Sequence, residues 1–201
     1  MRIMYLVLGA IASGKSSVSR RLLSQKSEIE YVCADLYKTR LFDIPVTGEN
    51  ASKIGYRCAD ELLFYRIEDL CSKGKSFILE FCPTNRNKFE TIKYYARLYD
   101  YKIISYFVGT DNVAINISRN EMREKNGGDH VPNQKIKIRY EDAYNSILEI
   151  MCISKYVYFI DNSTEAPKVV AFLSKKTVTV YEQDCYWFKT RVKRKIIYQR
   201  S

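Results

Sequence analysis

The sequence predicts an α/β fold, a three-layer sandwich with a mostly parallel sheet and helices on both faces. Three observations predict it. Short apolar runs alternate along the chain with stretches of helical periodicity. The runs at 77–79, 103–108 and 156–160 are almost continuously apolar, as expected for strands buried on both faces under helical crossovers. The first run, 3–8, passes through a glycine-containing turn directly into a helical stretch.

In chain order, a strand is expected over 3–8 and a helix over 17–25, followed by a short extended piece at 31–33 that ends in Ala34-Asp35. Residues 39–55 contain Pro45, Gly48 and Gly55 and read as loop with a short helix. Ala59, Leu62, Leu63, Ile67 and Leu70 recur at helical spacing, which predicts a helix over 56–73 stopped by Gly74. The 77–79 strand ends at Glu80, and a helix follows over 88–99. After the 103–108 strand come a helix over 112–125, stopped by Gly127-Gly128, and another over 134–152 beyond Pro132. The 156–160 strand ends in Asp161-Asn162-Ser163, and 169–173 with 177–181 read as a hairpin turning at Ser174-Lys175-Lys176. In open parallel sheets ligands gather at the carboxyl ends of the strands, which puts the first turn, Asp35, Glu80, Gly109 and Asp161-Asn162 on one rim.

That first turn is Gly9-Ala10-Ile11-Ala12-Ser13-Gly14-Lys15-Ser16, which matches G-x-x-x-x-G-K-[ST] at every fixed position, and Ser17 opens the helix behind it. Gly9 and Gly14 let the backbone curl so that successive N–H groups face a phosphate chain. Lys15 then reaches the β- and γ-phosphate oxygens, the Ser16 hydroxyl takes Mg²⁺, and the helix adds its positive dipole end. The fold is thus expected to be a P-loop NTPase sandwich, with residues 1–181 as one domain, a helical lid at about 112–140, a C-terminal β-hairpin, and a basic tail over 182–201.

Around this turn, Asp35 is placed either to accept a proton from an attacking hydroxyl or to cap a helix. Glu80 is placed to hold the metal shell or a substrate hydroxyl. Arg119 and Arg123 share a helix face, and with Arg139 they form a candidate lid over the transferring phosphoryl group. A solvated basic face paired with Glu121 and Glu124 is the other reading. His130 is read as hydrogen-bonded structure rather than catalyst.

Composition narrows the alternatives. With 201 residues, 46% hydrophobic and 28% charged, the chain is expected to form one globular domain with a substantial core. The N-terminal residues could pass for a weak signal peptide, but the P-loop strand uses them, and no apolar run approaches a membrane span. The six cysteines are scattered without a C-x-x-C pair and there is one His, so metal binding through them is not expected and reduced thiols in a cytosol are. The formal charge of +10, concentrated at 119–139 and in the tail, suits nucleic acid, a phosphate-rich small substrate or a solvated tail. A guanine-nucleotide switch lacks its signals: there is no D-x-x-G, and Asn87-Lys88-Phe89-Glu90 lacks the aspartate of N-K-x-D. A nucleic-acid end kinase remains an alternative resting on the basic tail.

Gly9–Ser16, Asp35-Leu36-Tyr37-Lys38, Glu80, Arg119-x3-Arg123-x3-Gly127-Gly128, Val131-Pro132-x3-Ile136-x2-Arg139-Tyr140 and Asp161-Asn162-Ser163 occur in an order that resembles zeta-toxin-like P-loop kinases. The likeness spans roughly residues 1–181, and the stand-alone bacterial branch is the one it resembles most. The resemblance implies ATP- and Mg²⁺-dependent phosphorylation of a hydroxyl; in that family the acceptor is the sugar 3′-hydroxyl of UDP-N-acetylglucosamine. It implies phosphate stabilisation by Lys15, Arg119, Arg123 and Arg139, Asp35 as general base, and Glu80 at metal or substrate. It also raises an antitoxin protein as a partner, with neither nucleic acid nor membrane expected. Two departures bear on the acceptor. Asp129 stands where the family has histidine, with His130 one place later, and Phe81-Cys82-Pro83-Thr84 replaces Thr-Thr-Leu-Ser after the strand glutamate. Thr84 is therefore a candidate acceptor contact in a segment of altered chemistry.

Overall fold

A computed structural model describes residues 1–26, 28–41, 49–84, 86–174 and 177–198, with side chains undescribed at 38–41, 49–56, 86 and 197–198. Lys175, Lys176 and Arg200, which the sequence reading placed in the hairpin turn and tail, lie outside these residues, as do Pro45 and Gly48.

The first strand, β1 (Ile3–Gly9), is buried almost throughout and splits its side chains between two cores. Met4, Leu6 and Leu8 face one layer and Tyr5 and Val7 the other, as the two-residue period of a strand requires. Helix α1 (Lys15–Ser24) follows the glycine turn, then β2 (Glu30–Cys33), α2 (Ala34–Leu41), α3 (Glu49–Ser72), β3 (Phe77–Phe81) and α4 (Arg86–Leu98). The second half runs β4 (Lys102–Gly109), α5 (Val113–Lys125), α6 (Asn133–Asn145), α7 (Ile147–Ile153), β5 (Tyr156–Asp161), β6 (Lys168–Ser174) and β7 (Thr177–Val180). A π-helical stretch, Phe188–Lys193, leads into α8 (Arg194–Tyr198).

The strands form one sheet in the order β2-β3-β1-β4-β5-β6-β7. The first five are parallel, and β6 and β7 add on antiparallel as the expected hairpin. Because β1 lies between β3 and β4, the connections after it diverge, and a crevice opens at its carboxyl end. Register fixes the neighbours of that crevice: Glu80 pairs with Val7 on one side and Cys33 on the other, while Gly9 pairs with Val108. The larger core packs Leu63, Ile67 and Leu70 of α3, Phe89 and Ile92 of α4, and Tyr140, Tyr144 and Ile147 of α6 and α7 against the sheet. The smaller core uses Val18 and Leu22 of α1 against Tyr5, Val7, Ile78, Val108 and Ile160. No helix among the described residues is long and apolar enough to cross a membrane.

Three local readings differ from expectation. The 39–55 segment is helical as far as Leu41 and again from Glu49, so α3 starts a full two turns earlier than the apolar spacing indicated. The helix expected over 134–152 is broken at Ser146, whose hydroxyl donates to the Asp142 carbonyl at 2.9 Å and to that of Pro83 at 2.5 Å. A serine that bonds back to its own helix competes with the ladder and bends it. Gly127-Gly128 ends α5 as the sequence indicated: Gly127 takes φ 84° and donates to the Glu124 carbonyl, and Gly128 donates to that of Arg123, each at 2.9 Å.

The third difference is the basic segment at the C-terminus, whose apolar residues belong to the core. Trp187, Phe188 and Val192 are fully buried, and Ile196 nearly so. The charges sit between them on the outer face, and Arg191 lies over the rings of Tyr140 and Tyr144 at 5.2 and 4.8 Å while bonding Glu141. Gly109 is what lets Trp187 in, since a Cβ there would lie 2.6 Å from the indole ring. Gly109→Ala should therefore cost about 1–3 kcal/mol by overpacking, and Trp187→Ala about 3–5 kcal/mol, read as lower urea midpoints at unchanged slope.

Candidate active site

The turn after β1 is shaped by two glycines that are required for different reasons. Gly9 (φ 155°) has no room for a side chain, because a Cβ would sit 2.4 Å from the Val108 carbonyl oxygen and 2.7 Å from Ser13 Oγ. Gly14 is left-handed (φ 95°), and its Cβ would sit 2.0 Å from Asn162 Nδ2. Ala10, Ile11, Ala12 and Ser13 span the curl between them, with Ala12 also at positive φ (57°). Lys15 folds back so that its ammonium group donates to the Ala10 carbonyl at 2.7 Å. Ser16 and Ser17 open α1 at the exposed surface.

Glu80 is the hub beside this turn. It is 5% exposed, and its carboxylate accepts from Ser16 Oγ and Ser19 Oγ, each at 2.7 Å, and from the Tyr31 hydroxyl at 2.8 Å. A buried carboxylate needs such donors. Ser16 Oγ on Oε1, at the open end of the loop, makes a hydroxyl–carboxylate pair of hard oxygen donors, which fits a Mg²⁺ shell. The glycine cradle, closed to any Cβ, fits a polyphosphate.

Burial and the neighbouring acids act on the groups around Glu80. The Tyr31 hydroxyl is pushed far above its ordinary value, first by burial and then by the charges of Cys33 and Glu80. The Cys33 thiol is pushed up to about 11 by burial, with Asp35 and Glu80 adding to the effect. Asp35 itself is exposed in the first turn of α2, two residues beyond the strand position that pairs with Glu80.

The expected arginines are not equivalent. Arg139 is half-exposed on α6, 3.5 Å from Asp142. Burial raises the Cys82 thiol, and the charges of Lys15 and Arg139 both act against that rise, so both cations lie within electrostatic reach of it. Arg119 donates to the Thr164 carbonyl at 3.3 Å, and its Nη1 is buried without an acceptor among the described residues. Arg123 is exposed at the end of α5, where its Cγ lies against Gly128. Thr84 is half-buried just past β3, its N–H donating to the Cys82 carbonyl at 2.9 Å. His130 bonds Glu124 at 2.8 Å on the surface, a structural contact.

Sequence reasoning missed several polar residues here. Ser19, Tyr31, Thr110 and Asn116 carry no motif, and Asn162 was placed on the rim without a role. Tyr31 could have been found from strand alternation, since Tyr31 and Cys33 share one side of β2, and Cys33 pairs with Glu80. A second acidic group, Asp111, Asp161 and Cys185, brings its ligand atoms within 4.8 Å of one another. Asp161 Oδ1 already accepts from Ser163 Oγ at 2.5 Å and Trp187 Nε1 at 2.9 Å, and burial pushes the Cys185 thiol up to about 12. These bonds from Ser163 and Trp187 tie Asp161 to the end of β5 and to the C-terminal segment.

A mostly parallel sheet with a G-x-x-x-x-G-K-S turn at its switch point defines the P-loop kinase-like class. Residues 4–139 match the family described as an AAA domain, and the chain belongs to that family. No curated protein matches it. Among solved structures it is similar to a chain of the PezAT chromosomal toxin–antitoxin system of Streptococcus pneumoniae (14% identity, 99% of this chain and 84% of that one, TM-score 0.63). It is also similar to a chain of the AvrRxo1-ORF1:-ORF2 complex with ATP (10% identity, TM-score 0.72), covering 92% of this chain but only 62%, under two thirds, of that one. Shikimate kinase from Acinetobacter baumannii in complex with shikimate matches at 18% identity over 83% of this chain and 85% of that one, with a TM-score of 0.53. At these identities the likeness is one of fold.

The thiols give a direct check on the described burial. At pH 8 roughly one Cys33 thiol in a thousand is ionised at a value of about 11, so iodoacetamide should label exposed Cys58 and Cys152 and spare Cys33, read by peptide mass spectrometry.

Proposed function

We propose that this chain is an ATP- and Mg²⁺-dependent phosphotransferase of the zeta-toxin-like kind, which phosphorylates a hydroxyl of a small molecule. The observation that carries the reading is the Ser16–Glu80 hydrogen bond of 2.7 Å beside the glycine cradle and Lys15. It joins the residue types that phosphoryl transfer needs at the mouth of the crevice. Ser16, with Glu80 behind it, would hold Mg²⁺, which when bound neutralises charge on the β- and γ-phosphate oxygens. Lys15 would exchange its Ala10 carbonyl for those oxygens. The N–H groups of the loop and the first turn of α1 would bind the phosphate chain.

Asp35, exposed at the carboxyl end of β2, would take the proton of the acceptor hydroxyl as that oxygen attacks. Arg139 on α6, whose charge reaches Cys82 as that of Lys15 does, and Arg119 and Arg123 on α5 would stabilise charge spreading over the transferring group. Thr84 and the rest of the segment after Glu80 would contact the acceptor. UDP-N-acetylglucosamine is the first acceptor to test, because the resemblance names it. The toxin–antitoxin fold neighbour supports an antitoxin protein as partner, and the scattered, unbridged cysteines support a cytoplasmic setting. The basic C-terminal segment gives less support to a nucleic-acid end kinase, because its apolar half is committed to the core.

The test is incubation with γ-labelled ATP and a panel of UDP-sugars, nucleotides and oligonucleotides. Label should move to a sugar nucleotide; label on oligonucleotides alone, or only free phosphate, would contradict the reading. Lys15→Ala should lower transfer by about 10²-fold or more with the fold intact by circular dichroism. Asp35→Asn should abolish transfer but keep ATP binding by calorimetry; retained turnover would make Asp35 a helix-terminus residue and no more.

A further inference from the structure

We propose that Asn116 and Asn162 are positioning residues that lock the phosphate-binding turn into its ligand-ready form, one reaching it from the lid helix and the other from the end of β5. The inference rests on the reading of that turn as a polyphosphate site. Asn116, fully buried on α5, donates from Nδ2 to the Ile11 carbonyl at 2.6 Å. Asn162, 8% exposed beyond β5, donates from Nδ2 to the Ser13 carbonyl at 2.8 Å. With Lys15 on the Ala10 carbonyl, three carbonyls of the turn are held by side-chain donors, two of them from other elements.

The peptide plane converts these bonds into orientation. In a trans peptide the N–H of the next residue points opposite to the carbonyl. Holding Ile11 C=O therefore aims the Ala12 N–H, and holding Ser13 C=O aims the Gly14 N–H, away from the asparagines and into the curl. The Ser13 N–H is already engaged with the Ala10 carbonyl at 3.3 Å, so the Ala12 and Gly14 groups carry much of the donor capacity of the curl.

Each carboxamide is itself held. Thr110 Oγ1 donates to Asn116 Oδ1 at 2.6 Å, which leaves Nδ2 as the group facing Ile11. The Thr110 carbonyl accepts from the Tyr140 and Tyr144 hydroxyls at 2.7 and 2.8 Å, so α6 supports the same arrangement. Asn162 donates its own backbone N–H to the Gly109 carbonyl at 2.9 Å. Gly14 is fitted to this contact, since its Cβ position is 2.0 Å from Asn162 Nδ2. The phosphate turn and the base of the lid are thereby one hydrogen-bonded unit.

The experiment is calorimetry on the full chain with three probes: inorganic tripolyphosphate, ADP and adenosine. Asn162→Asp and Asn116→Asp replace the donor with an acceptor of the same shape, and Asn162→Ala removes the donor without adding charge. Tripolyphosphate and ADP should bind at least about tenfold more weakly to each variant, while adenosine binding is unchanged. Unchanged tripolyphosphate affinity, or an equal loss for adenosine, would overturn the proposal and leave the asparagines as core ligands of the backbone. If an aspartate variant does not fold, Asn162→Ala gives the same reading. Failure of the unmodified chain to bind tripolyphosphate and ADP would instead remove the nucleotide site itself, and the proposal with it.

Discussion

A turn that directs its amide hydrogens at an anion must send its carbonyls the other way, and each buried carbonyl then needs a donor. On the proposed reading of the first turn, that constraint organises the centre of this molecule. The Ala10, Ile11 and Ser13 carbonyls are met by Lys15, Asn116 and Asn162, drawn from α1, α5 and the end of β5. The sheet order explains why those elements are within reach. With β1 between β3 and β4, the turn rises between Glu80 on one side and Gly109 with Asn162 on the other.

The same economy of contacts recurs one strand away. Glu80 is buried, and its charge is met by Ser16, Ser19 and Tyr31 from α1 and β2. These bonds set the carboxylate in one place and tie the first turn of α1 to the adjacent strands. The cost of burying the acid is thus offset by donors that serve the site. On the far side, Trp187 packs over Gly109 and donates to Asp161.

Much of this was legible in the sequence, and the reasons are physical. The G-x-x-x-x-G-K-S turn has fixed spacing, so Gly9 to Ser16 could be read residue by residue, and continuous apolar runs marked the parallel strands. Glu80 was visible because it ends such a run. What escaped were residues whose role comes from tertiary approach: Asn116, Asn162, Thr110, Ser19 and Tyr31 are ordinary in their local context. The C-terminal segment misled for a related reason. Its lysines and arginines dominate the composition, whereas Trp187, Phe188, Val192 and Ile196, which bury it, lie at spacings disguised by a π-helical stretch. Ser146 broke a helix through a hydroxyl that periodicity does not register.

The central claim is that the first turn grips a polyphosphate while Glu80 backs the metal-binding hydroxyl. A crystal structure with Mg²⁺ and a nonhydrolysable ATP analogue tests it most directly. The account predicts the β- and γ-phosphates within the 9–16 turn, Lys15 moved from the Ala10 carbonyl onto them, and Ser16 on the metal with Glu80 behind it. A nucleotide bound elsewhere, with Lys15 still on Ala10 and Ser16 still on Glu80, would contradict it.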